Sequence, residues 1–186
     1  MSAARCPARV VASPHAAGGE IADHAALPAA RSAPPPTLVG RSALLASVES
    51  RLAAHGSAVL TGPSGIGKTA VMEALGAAAA TRGELVLRAA GAETERWIPY
   101  AGLADLLDQC PVEQLAGLPE PQRSALYGVL LGDRHATDAG VQSRAVCRLA
   151  WRGLLGRCAA TTPVLLLVDD AQWLDPASVD ALRYAA

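Results

Sequence analysis

A chain of 186 residues, 51% apolar and 18% charged, is long enough for one packed domain and too apolar to be disordered along most of its length. Its 16 basic and 17 acidic residues leave a formal net charge of -1, which argues against broad electrostatic attraction to nucleic acid or an anionic membrane. Aromatic residues make up 3%, so a core must be built from Leu, Val and Ala, and no apolar run reaches the roughly 18 residues needed to span a bilayer.

In chain order, residues 1–36 carry Pro7, Pro14, Pro28 and the run Pro34-Pro35-Pro36 without sustained apolar periodicity, which predicts a disordered Ala/Pro-rich leader. From Ser42, Leu44, Leu45, Val48 and Leu52 fall on one side of a helix that Gly56 can end. Ala58-Val59-Leu60-Thr61 reads as a short strand, followed by a glycine-rich turn and a helix through Val71, Met72 and Leu75 that Gly83 can stop. Leu85-Val86-Leu87 resembles a second buried strand, far enough from the first for a right-handed parallel crossover. The middle third predicts three helices: a short one around Leu103, Leu106 and Leu107, one over residues 122–131, and a longer one over residues 141–160. The unbroken run Val164-Leu165-Leu166-Leu167-Val168 fits a strand covered on both faces, and Asp175-Pro176 marks a final helix start. The cysteines at 6, 110, 147 and 158 show no CxxC pairing and the four histidines are scattered, which fits reduced cytoplasmic thiols and no zinc site.

Gly62-Pro63-Ser64-Gly65-Ile66-Gly67-Lys68-Thr69 matches GxxxxGK[ST] in full, between a strand and a helix. Glycines let successive N–H groups turn inward toward phosphate oxygens, and the helix start adds partial positive charge. Lys68, the sole lysine among the basic residues, would reach the β- and γ-phosphates, and Thr69 would place its hydroxyl on a magnesium ion. The expected ligand is ATP with Mg2+.

The second element is the acidic end of the run 164–168. A carboxylate at the carboxyl end of a buried parallel strand sits at the crevice where open α/β sheets bind ligands. Asp169 is therefore placed to hold the metal shell, and Asp170 to orient or partly deprotonate the attacking water. An aspartate at the latter position is shorter than a glutamate, which predicts slow hydrolysis.

Leu38-Val39-Gly40-Arg41, the phosphate loop, Trp97-Ile98-Pro99-Tyr100-Ala101-Gly102-Leu103 and Asp169-Asp170-Ala171-Gln172-Trp173-Leu174-Asp175 together resemble the AAA/STAND ATPase domain of large ATP-binding LuxR-type transcriptional regulators. The resemblance runs from about residue 37 to the end. It implies an α/β fold, a three-layer αβα P-loop NTPase with a parallel sheet, and places Val39, Gly40 and Arg41 near the adenine and ribose. Trp173 is expected in core packing, and Trp97 and Tyr100 in packing the middle region. The resemblance further implies a later strand, carrying a first sensor residue, between the P-loop strand and the acidic strand. Without it the sheet is expected to be incomplete, to lack a central member and to unfold with little cooperativity.

The functional expectation is an ATP-binding switch with weak or partner-dependent hydrolysis, whose partners are downstream regulator domains or another protomer, without direct nucleic-acid or membrane contact. Two alternatives stay open. A small-molecule phosphotransferase would share the loop and need catalytic arginines, for which the stripe Arg144, Arg148 and Arg152 is the candidate, unless it is a solvated helix face. A truncated, non-catalytic interaction module is the other.

Overall fold

The apolar runs that the sequence marks as strands come together in one parallel sheet, and a fourth run joins them. The computed structural model describes residues 8–14, 40–131 and 140–185. Its strands are β1 (Ala8–Ala12), β2 (Ser57–Val59), β3 (Leu85–Ala90) and β4 (Val164–Asp169), in the spatial order β2-β1-β4-β3 with every pairing parallel. Helices α1 (Ser42–His55) and α2 (Lys68–Thr81) cover one face. Helices α3 (Ala101–Asp108), α4 (Val112–Ala116), α5 (Glu120–Leu130), α6 (Gly140–Thr161) and α7 (Pro176–Ala185) build the other side. The result is the three-layer α/β arrangement of a P-loop NTPase.

Alternation along β4 explains how one strand serves both layers. Leu165 and Leu167 point into the core shared with Val48, Leu52, Val71, Met72 and Leu75, while Val164 and Leu166 face Leu103, Leu126, Trp151 and Leu154 on the opposite side. Helix α1 ends where the sequence indicates, at Gly56, whose φ of 73° permits the left-handed turn that lets its N–H close on the Leu52 carbonyl. The short helix α4 is an addition that five residues of weak periodicity did not announce.

The opening segment departs from expectation. Ala8–Ala12 lies inside the stretch read as a leader, yet it is a central strand, hydrogen-bonded to β2 on one side and β4 on the other. The β-branched pair Val10-Val11 suits a strand, and Pro14 follows only after the Ser13 N–H has donated to the Val168 carbonyl at 2.9 Å, so its missing donor costs the ladder nothing. The slot between the P-loop strand and the acidic strand, expected to be open, is filled by β1. The reason for expecting weakly cooperative unfolding falls with it. Residues 15–39, including the Pro34-Pro35-Pro36 run, lie outside the described residues.

At the amino end of the sheet Arg9 pairs with Glu84, which also accepts a 2.8 Å hydrogen bond from Arg82 Nε, and Arg82 reaches Glu49 of α1 at 3.2 Å. Burial by itself would raise the Glu84 carboxyl; the hydrogen bonds from Arg82 and Arg9 outweigh it and hold the group below its ordinary value. A carboxyl depressed in the folded state stabilises above its unfolded pKa and loses that contribution as pH falls through the folded one. Glu84→Gln should therefore cost about 1 kcal/mol at neutral pH. The difference between parent and variant should shrink as pH falls below the ordinary glutamate range and vanish once the depressed carboxyl is itself protonated, as urea denaturation across the pH range would register.

Candidate functional site

The phosphate loop caps the carboxyl end of β2 and runs into the first turn of α2. Gly65 and Gly67 take φ values of 72° and 88°, the left-handed region in which a side chain would be strained, and this is what swings the loop around to start the helix at Lys68. Residues Pro63, Ser64, Gly65 and Ile66 are exposed, so the loop is open to a ligand. Lys68 bends back over it and donates to the carbonyls of Gly62 and Pro63, both at 3.0 Å. Phosphate oxygens arriving at the loop would compete with those carbonyls for the same ammonium.

The acidic strand end meets the loop directly. The Thr69 hydroxyl donates to Asp169 Oδ2 at 2.6 Å, across 100 residues of sequence. The other oxygen, Oδ1, accepts the N–H of Asp170 at 3.0 Å, which fixes the carboxylate's rotation. Asp170 itself has a φ of 45°, and its Oδ1 accepts from the Gln172 amide at 3.3 Å. A non-glycine residue in that conformation marks a turn held by its surroundings. Gly91 supplies part of that hold: its N–H donates to the Asp169 carbonyl at 3.0 Å, and a Cβ there would lie 2.7 Å from Leu174 N and 2.8 Å from the Trp173 carbonyl carbon. Only a glycine lets β3 run this close to the acidic turn.

As a donor set, a threonine hydroxyl and a carboxylate beside a phosphate loop fit magnesium, which prefers hard oxygens and fills the rest of its shell with waters and phosphate oxygens. Next to the loop, Arg41, Leu44, Val59, Leu60, Thr61, Ile66, Lys68 and Val71 line a cleft of about 330 Å³. Arg41 donates to the Ile66 carbonyl, so the Gly40-Arg41 segment is tied to the phosphate loop. Gly40, with a φ of 77°, makes the turn that delivers it. Val39 lies outside the described residues.

This assembly of loop, helix start and acidic strand end has a counterpart among known proteins: residues 37–186 match the profile of the AAA ATPase domain family. The chain belongs to that family. No curated protein and no solved structure matches it. β1 lies outside the matched span of this AAA ATPase domain, although it sits in the middle of its sheet.

Other residues singled out from sequence take different places. Tyr100 is buried in the core, whereas Trp97 is 76% exposed with the Arg96 guanidinium 4.5 Å from its ring centroid. Trp173 is half-buried, and its neighbour Leu174 is the residue that enters the interior. Arg148 pairs with Asp180 at 3.4 Å, and Arg148 and Arg152 lie 5.3 and 5.9 Å from the Tyr184 ring centroid. They join α6 to α7, on the side of the sheet away from α2. Asp175 starts the last helix, as the sequence predicts. Its buried carboxylate also accepts N–H groups from Tyr100 at 2.8 Å and Ser178 at 2.9 Å, which clamps the start of α3 to the start of α7 in this AAA ATPase domain. Among the described residues no helix is long and apolar enough to cross a membrane.

Proposed function

We propose that this AAA ATPase domain binds ATP with magnesium, hydrolyses it slowly or only with a partner's help, and acts as the nucleotide switch of a cytoplasmic, signal-responsive transcriptional regulator of the STAND, LuxR type. The observation that supports the reading is the 2.6 Å contact between Thr69 and Asp169, which brings the glycine loop and the acidic strand end together at the carboxyl end of a parallel sheet.

In this reading the backbone N–H groups of residues 64–69 hold the β- and γ-phosphates at the positive end of α2. Lys68 transfers its hydrogen bonds from the Gly62 and Pro63 carbonyls to phosphate oxygens. Thr69 and Asp169 hold the metal, which neutralises charge on the phosphates when bound. Asp170 orients the water, its carboxylate already accepting from the Gln172 amide. Arg148 and Arg152 are engaged between α6 and α7, so a cation for the transition-state charge comes from downstream regulator domains or a second protomer. Arg41 and the adjoining cleft receive the nucleoside end. The regulator assignment draws on the Val39-Gly40-Arg41 box and the Asp169-Asp170-Ala171-Gln172-Trp173-Leu174-Asp175 segment, and the near-neutral net charge of -1 argues against broad electrostatic attraction of this segment to nucleic acid or membrane.

Calorimetric titration of the 186-residue chain with ATP tests this, with and without magnesium, beside Asp169→Ala. The parent should bind ATP more tightly when magnesium is present, and Asp169→Ala should lose about tenfold in affinity, all of it in the magnesium-dependent part. Equal magnesium dependence in the two proteins would overturn the metal assignment, and no binding by the parent would overturn the function.

A further inference from the structure

Two surfaces outside the proposed nucleotide site expose large apolar side chains among charges of one sign. The first is the loop joining β3 to α3, whose tip leaves Trp97 76% and Ile98 54% exposed. That tip is held in shape, with the Arg96 N–H donating to the Ala92 carbonyl at 3.1 Å and the Ile98 N–H to the Glu95 carbonyl at 2.8 Å. Its ends are fixed too: the Gly91 N–H donates to the Asp169 carbonyl at 3.0 Å, and the Tyr100 N–H to the Asp175 carboxylate at 2.8 Å. A rigid loop cannot fold its indole inward, so the apolar tip stays in water until something covers it. Around it Glu93, Glu95, Asp105 and Asp108 are exposed, and none of them forms an ion pair among the described residues. The single cation of the loop, Arg96, lies over the Trp97 and Trp173 rings instead, 4.5 and 5.7 Å from their centroids. Burial, then the nearby Glu95 and Asp108, hold the Asp105 carboxyl above its ordinary value, as expected of acids that act on one another.

The second surface is the face made by α6 and α7, which carries the arginine stripe. Leu149 is 48% and Tyr184 40% exposed there. Arg144, Arg152 and Arg183 are exposed on the same two helices, and none of them forms an ion pair among the described residues. The carboxylate of Asp180 is taken by Arg148 at 3.4 Å. Arg152 follows Leu149 by three residues, so the two share a helix face, and its guanidinium lies 5.9 Å from the Tyr184 ring centroid. One surface is thus apolar and acidic, the other apolar and basic.

We propose that these two surfaces are the halves of one interface, the acidic loop of one copy of this chain docking on the basic α6/α7 face of a second copy. Trp97 and Ile98 pack on Leu149 and Tyr184, and the unpaired arginines meet the carboxylates that rim the loop. Tryptophan, tyrosine and arginine are the residue types that carry most binding energy at interfaces. Charge sets the pairing: loop repels loop and face repels face, so only the unlike surfaces come together. A polyanion would meet the basic face alone and leave the acidic loop uncovered. The contact uses no nucleotide. Because the loop is bonded to Asp169 and Asp175, the docked copy bears on the two ends of the acidic segment that contains Asp170.

The test is sedimentation equilibrium of the nucleotide-free, 186-residue chain up to about 0.5 mM, a concentration that detects even a weak interface. The parent should self-associate, and Trp97→Ala, which removes an exposed ring, should weaken association about tenfold or more. Two charge-reversed proteins follow, one carrying Glu93→Arg with Glu95→Arg and the other Arg144→Glu with Arg152→Glu. Each presents two surfaces of like sign and should stay monomeric alone, while an equimolar mixture should associate as the parent does, since each copy then offers the sign that the other lacks. Raising salt should weaken association of the parent, as screening reduces the charge term. Thermal melting of every variant should match the parent, because all five positions are exposed. A parent that stays monomeric throughout overturns the proposal. So does a Trp97→Ala protein that associates like the parent, or a mixture of the reversed proteins that remains monomeric although both are folded.

Discussion

Deletion of residues 1–14 should abolish cooperative folding of this AAA ATPase domain. In the order β2-β1-β4-β3, β2 is hydrogen-bonded to β1 and has no other strand neighbour among the described residues, so removing β1 detaches the strand that carries the phosphate loop. It also uncovers the ladder edge of β4, whose residues 164–168 are all buried, and unpaired backbone groups away from water are costly. Val11, 0% exposed between the layers, adds a packing term that can be tested alone. Val11→Asp buries a charge with nothing to pair it and should lose more than about 4 kcal/mol, while Val11→Ala should lose about 2 kcal/mol from lost burial and the cavity left behind. Circular dichroism during urea denaturation distinguishes the outcomes. A deleted chain with the parent's midpoint and slope would mean that β2 closes directly onto β4 and that the opening segment is dispensable.

That strand also shows where reading the sequence stops. The phosphate loop was legible because its geometry requires particular residues at particular spacings, and Gly65 and Gly67 do adopt the left-handed conformations that the motif needs. Strand β4 was legible because a strand buried on both faces must be apolar without interruption. The ends of α1 and α2 were legible at Gly56 and near Gly83 for the same conformational reason. β1 has none of these marks. Two valines among alanines, bracketed in sequence by Pro7 and Pro14, are too short for a period to show, and what makes them a strand is pairing with partners about 45 and 155 residues away. The contacts of Arg41 with the Ile66 carbonyl and of Asp175 with the Tyr100 N–H escape for a related reason: each joins a side chain to a remote backbone group, and no local pattern encodes such a partner. The arginine stripe on α6 was visible, but its use depended on Asp180 and Tyr184 of a different helix.

Lys68→Ala should lower affinity for magnesium-ATP about a hundredfold, close to 2.7 kcal/mol. Two effects compete in that number. A unit charge about 4 Å from a phosphate oxygen at the edge of a protein interacts by roughly 4 kcal/mol in gross terms. Against this, the ammonium gives up its two 3.0 Å hydrogen bonds to the Gly62 and Pro63 carbonyls when it turns to the ligand, a net cost of about 1–2 kcal/mol. The remainder sets the expected loss. No second lysine exists in the sequence to take over, and the loop N–H groups stay in place, so residual binding should persist. Lys68→Arg should recover only part of the affinity, because a planar guanidinium does not reproduce a compact charge on a flexible stem. Stability should hardly change, since Lys68 belongs to neither hydrophobic core, and melting of the nucleotide-free variant provides that control. Raising the salt concentration should narrow the gap between parent and Lys68→Ala, as screening weakens a partly exposed charge. If the two proteins bind ATP within about threefold of one another at low salt, the ammonium does not face phosphate, and the loop grips its ligand by backbone alone.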